Sequence, residues 1–149
     1  MIKGSSTIFS LILLAFVVWA GWYYFYQNKT PRVTFSNGTV INVSVADTPE
    51  ERTQGLSKRE LLRDDEGMIF VFDTIERHPI WMKDMYFPLD IMWLDENFKI
   101  VDLVPNASVS SYPNNFVPRK SAGFVIEVNA GFTTRNNIKI GDTIVFERK

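Results

Sequence analysis

The chain has 149 residues, a formal net charge of −1, no cysteine and a single histidine. That length suits one domain, and the absence of cysteine excludes disulfides and thiol chemistry. With one imidazole and no basic surplus, no zinc or copper centre, no other cofactor and no nucleic-acid partner are expected.

Residues 7–26 carry no charge. A helix of that length rises about 30 Å, the thickness of a bilayer core. Lys3 precedes the run and Lys29 follows it, and Trp19, Trp22, Tyr23, Tyr24 and Tyr26 crowd its C-terminal end, where amphipathic rings suit the headgroup region. The expectation is an uncleaved transmembrane anchor and linker over residues 1–30. The alternative is a signal peptide cleaved near Val18-Trp19-Ala20. A short basic start, an apolar run and then the domain predict a soluble β-rich domain, residues 31–149, outside the cytoplasmic membrane, periplasmic or extracellular.

Arg32 to Val45 reads as a hairpin, with Asn37-Gly38 supplying a two-residue turn between β-branched runs. Thr48-Pro49-Glu50-Glu51 predicts a helix start: Thr48 caps, Pro49 suits the first helical position and Glu51 completes a capping box. Ser57-Lys58-Arg59-Glu60 repeats the pattern and predicts a second short helix through Leu62. Residues 68–72, 80–82, 89–94, 99–104, 124–128 and 144–146 read as strands. Residues 105–121, rich in Ser, Asn and Pro, read as a long loop of the kind that is often functional or mobile. The expected fold is mainly β, an antiparallel or mixed barrel or sandwich with two short helices.

The centre of the chain places charges inside apolar sequence, and buried charges need partners. Trp81 followed by Lys83 and Asp84 suggests an indole wall, an ammonium donor and a carboxylate acceptor around a polar ligand. Asp90 lies in a strand apolar on both faces, on the same face as Met92 and Leu94. Its expected partner is Lys83 or Arg52, or backbone N–H groups of the Pro88 turn. Arg52 suits a carboxylate through its planar fork; the plainer reading is a surface ion pair with Glu51 or Asp47. Glu127 alternates with Ile126 and Val128, which places it on the water-facing side of a half-buried strand. His78, held extended by Pro79, has no serine activated beside it and no G-x-S-x-G elbow in the chain.

Ala46-Asp47-Thr48-Pro49-Glu50-Glu51-Arg52 with Gly55-Leu56, then residues 67–72 (GMIFVF), Trp81-Met82-Lys83, Pro88-Leu89-Asp90-Ile91, Gly131 and Gly141-Asp142 follow one another in fixed order. In this the stretch from Val40 to Phe146 resembles the domain of unknown function 192 family. Ser57 and Asp84-Met85 depart from the family's usual Met and Asn-Thr. The resemblance implies a small β-rich domain, often exported or membrane-tethered, with no activity to carry over.

Together these readings predict a membrane-anchored extracytoplasmic domain that binds a small polar ligand or an envelope protein through Arg52, Trp81, Lys83, Asp84 and Asp90. Two alternatives remain: a hydrolase using Asp84, Asp90 or Glu127, and a structural accessory subunit of an envelope complex.

Overall fold

The computed structural model describes residues 5–27 and 30–148. The chain divides between residues 30 and 31 into two units. The first is helix α1, Ser5–Gln27, whose side chains are described from Phe9 to Tyr23. Phe9, Leu11, Leu14, Val18 and Trp22 are among its exposed apolar side chains. Among the described residues no helix is long and apolar enough to cross a membrane.

The second unit is one curled sheet of seven strands in the order β5-β4-β6-β3-β2-β1-β7. The strands are β1 (Arg32–Phe35), β2 (Val40–Ala46), β3 (Glu66–Glu76), β4 (Leu89–Leu94), β5 (Ile100–Ala107), β6 (Ala122–Asn129) and β7 (Ile144–Glu147). Only β2 and β3 run parallel. They are joined through α2, Pro49–Gln54, as a parallel pair needs a crossover. The first strand closes on the last, Arg32 opposite Glu147 and Phe35 opposite Ile144. The outer strands also meet at one end, where Lys99 bridges Thr143. The result is a mainly β half-barrel with few helices.

Both faces of the sheet are covered, which is why the central strands are apolar without alternation. All six residues of β4 are buried. Met92 and Leu94 join an enclosed core to which every strand contributes, with Phe35, Ile41, Ile69 and Ile126 among its members. Leu89, Ile91 and Trp93 point the other way, into a second core with Met68, Phe70 and Val125. That core is roofed by Leu56 and Leu62 from the segment after α2, and by Ile80 and Met82.

Several local expectations hold and several shift. The capping box is present: Glu51 N–H donates to Thr48 Oγ1 (3.2 Å) and Thr48 N–H to Glu51 Oε2 (3.1 Å). Residues 57–62 form the end of a turn and irregular chain instead of a second helix. The helix ends at Gly55, at positive φ (49°), and Lys58 also takes a positive φ (62°), which breaks any further helical run. The β1–β2 connection spans Ser36, Asn37 and Gly38, not two residues. Phe35 N–H donates to Thr39 O (2.8 Å), and only Gly38 of the three has a positive φ (87°). Residues 80–82 are no strand: Ile80 makes a single bridge to Phe116. The expected loop from residue 105 begins later, because β5 continues through Pro105 to Ala107. An extra residue bulges out between Val104 and Ala107, where Asn106 takes a positive φ of 53°. A bulge is where a strand tolerates proline.

An ion pair helps hold the segment after β5 to the sheet. Asp102, 4% exposed, accepts from Arg119 N–H (2.6 Å) and Arg119 Nε (3.0 Å). The Arg119 side-chain hydrogen bond holds the Asp102 carboxyl below its usual range.

Candidate functional site

A cleft of about 350 Å³ opens on the roofed face of the sheet. One wall is α2 and the turn after it, Arg52 to Ser57; the other is Pro79 to Trp81 with Met85. Phe70 and Phe72 of β3 and Glu127 of β6 also line it. Each wall follows from a local constraint. Pro49 and the capping box start α2, and Gly55 ends it where an added Cβ would stand 3.3 Å from Phe70 Cζ. Pro79 carries the chain off β3, and Trp93 Nε1 donates to His78 O (2.9 Å) beneath that turn. His78 stacks on Phe72 at 3.7 Å and its Nε2 lies 2.9 Å from Thr74 O.

Glu127 is the unusual member. Sequence alternation places it toward water; it is 4% exposed. Its cross-strand neighbours are Met68 and Ile91, both buried and apolar. Among the described residues its carboxyl has no hydrogen-bond partner. Its small remaining accessibility belongs to the cleft. Burial pushes its pKa from 4.5 up to about 8, so at neutral pH the side chain is mostly the neutral acid.

Arg52 lies on the same cleft, but its guanidinium is already engaged. Nη1 donates to Asp47 O (2.6 Å) and Val71 O (2.8 Å), and Nη2 pairs with Asp73 Oδ2 (3.4 Å). Its Cζ stands 5.4 Å from the Phe72 ring centroid. The ion pair expected with Glu51 or Asp47 therefore goes to Asp73, and Asp47 instead pairs with Arg148. Arg52 acts as a brace that ties α2 to β3.

Trp81 is 44% exposed and stands on the cleft rather than in the core. Lys83 and Asp84 line a shallower groove next to it, which shares Trp81, Thr53 and Ser57 with the cleft.

Asp90 is elsewhere. It points into the enclosed core from the opposite face of the sheet, as its sequence register with Met92 implies, and it is 0% exposed. Its partners are neither Lys83 nor Arg52. Oδ1 accepts from Asn106 N–H (2.8 Å) and Gly131 N–H (3.0 Å); Oδ2 accepts from Thr133 N–H (2.9 Å) and Thr133 Oγ1 (2.6 Å). The carboxylate thus joins β4 to the bulge of β5 and to the first turn of α3, Phe132–Arg135. The structure therefore brings Arg52 and Trp81 together, sets Lys83 and Asp84 beside them, and separates Asp90 from all four.

The family model of DUF192, described as "Uncharacterized ACR", matches residues 32–146. The chain belongs to the DUF192 family. No curated protein matches it. Two crystal structures resemble this DUF192 chain. One is a protein from Sinorhizobium meliloti 1021 that carries the provisional label of transcription regulator: 30% identity, TM-score 0.71, covering 78% of this chain and 91% of that one. The other is a protein of unknown function from Novosphingobium aromaticivorans DSM 12444: 29% identity, TM-score 0.69, covering 78% and 83%.

Proposed function

We propose that this DUF192 domain is a membrane-tethered binding module that takes a small ligand into the α2–β3–β6 cleft, with Glu127 fixing the ligand's polar end. The observation that carries this reading is a carboxyl 4% exposed, without a partner, in a largely apolar recess. Binding sites combine apolar walls with a few polar groups that set orientation. Shifted carboxyl pKa values cluster at such sites. The cleft is less polar than the sequence suggests, so the ligand has an apolar body. A hydrolase built on two carboxylates is disfavoured, because Asp90 and Glu127 occupy opposite faces of the sheet. The regulator label of the Sinorhizobium relative is not carried over, since a net charge of −1 offers no electrostatic support for nucleic acid.

The test is a fragment screen by ligand-observed NMR on the full chain in maltoside micelles. Hits are expected to lose at least fivefold in affinity in Trp81→Ala while the melting temperature stays nearly constant, because Trp81 is half exposed. A screen without hits, or hits indifferent to substitution of both Trp81 and Glu127, refutes the cleft as a ligand site.

The tether rests on the uncharged run of residues 7–26 and its aromatic end. The proposed arrangement puts the domain outside the cytoplasmic membrane. The intact protein is expected to stay with membranes through carbonate extraction, and protease added to spheroplasts is expected to digest the β domain. Release by carbonate would remove the anchor; survival of the domain until lysis would reverse its orientation.

A further inference from the structure

We infer that the cleft selects an organic ammonium: a protonated amine on an apolar, ring-sized body. This rests on the cleft being a ligand site and goes further by naming the ligand class.

Thr53 Oγ1 donates its only proton to Pro49 O (2.8 Å), and Ser57 Oγ donates its only proton to Lys83 O (2.8 Å). Both Nη1 protons of Arg52 go to backbone carbonyls. Gln54 Nε2 donates to Ser57 O (3.0 Å). Thr53 and Ser57, with their only protons committed, are left as acceptors on the cleft. The most deeply buried polar group is a carboxyl with no cation beside it. Phe70 and Trp81 add aromatic walls, whereas the Phe72 ring is already flanked by His78 and the Arg52 guanidinium. An ammonium brings three donors and a charge, and aromatic faces attract it. A neutral carbonyl ligand would use one proton of Glu127 and leave the other acceptors unmet.

Proton balance gives the inference a signature. The free site holds Glu127 as the acid, and binding forms the carboxylate–ammonium pair: Glu127–COOH plus R–NH3⁺ gives Glu127–COO⁻ paired with R–NH3⁺ and one H⁺ released to solvent. No other titratable group interferes at close range. Among the described residues Arg52 on α2 is the only other ionisable one lining the cleft, and the strands on either side of Glu127 present Met68 and Ile91 to it. Affinity for an ammonium therefore rises with pH until Glu127 is ionised in the free site, by about tenfold per unit below the free-site pKa.

The probes are benzylammonium and benzyl alcohol, titrated between pH 6 and 8 into the ¹⁵N-labelled full chain in maltoside micelles. Chemical shifts give the affinity, and calorimetry in two buffers of different ionisation enthalpy counts the proton. At pH 8 benzylammonium is expected to bind at least tenfold more tightly than benzyl alcohol. Its affinity should weaken about tenfold per unit toward pH 6, with release of close to one proton at pH 6. Glu127→Gln is expected to remove the pH dependence. Benzyl alcohol binding as well as the amine, or amine binding flat in pH, overturns the ammonium assignment and leaves the cleft a ligand site. Shifts of Leu56, Phe70 and Trp81 that respond to neither probe overturn both.

Discussion

Asp90→Asn is expected to lower the unfolding free energy by about 3–5 kcal/mol, although it changes one atom. Both carboxylate oxygens accept two hydrogen bonds, and all four donors point inward from other elements. An amide can satisfy one pair with its oxygen. Its NH2 then faces either the N–H groups of Asn106 and Gly131 or the N–H and hydroxyl of Thr133. Donor meets donor in both orientations. Each unsatisfied buried donor costs about 1–3 kcal/mol, and the bonds that remain lose the strengthening that charge gives. Against a total stability of about 5–15 kcal/mol this is a large fraction. Urea unfolding followed by circular dichroism measures it. A loss below 1 kcal/mol would show that the four-donor cage does not hold the barrel end together.

Stability is expected to fall as pH rises from about 5 to 8, and Glu127 is the reason. Unfolded, its carboxyl titrates near 4.5; folded, near 8. Between those values the folded protein keeps a proton that the unfolded chain has released. The slope of unfolding free energy with pH is then negative, about 1.4 kcal/mol per unit at most, and it levels off above pH 8. Asp102 works in the opposite sense and in a different window. Its folded pKa lies below 3.8, so its contribution is present above that value and lost as pH drops through the folded one. Glu127→Gln is expected to flatten the fall between 5 and 8, and to be the more stable protein at pH 8. Parallel pH profiles for wild type and variant would remove Glu127 as the source.

Much of the fold is legible in local chemistry. The capping box at Thr48 and the apolar runs of β3 and β4 are written within a few residues. The misplaced elements depend on distant partners. Ile80 looks like part of a strand because it is apolar, but its only ladder contact comes from Phe116. β5 passes Pro105 because a bulge removes the need for a ladder N–H there. Glu127 misled for a related reason. Alternation marks a solvent face only when one side of the sheet is bare, and β6 is covered on both sides. Asp90 could be assigned to its face from register, but its donors lie up to 43 residues ahead, beyond any local pattern. Arg52 and Trp81 stand out in the sequence by residue type, and Lys83 and Asp84 by their nearness to Trp81.

The pairing of β1 with β7 has a consequence for the order of folding. The four residues that open the domain find one of their two neighbours only in Ile144–Glu147, separated from them by 115 residues in the Arg32–Glu147 contact. Such distant pairing makes folding slow, because loop-closure entropy is lost before the contacts form. During synthesis at about 5–20 residues per second, the interval between making β1 and making β7 lasts several seconds or more. Throughout it β1 can pair with β2 alone, and the enclosed core lacks the wall that Ile144 completes. The nascent chain therefore remains incompletely folded until its last strand has been made.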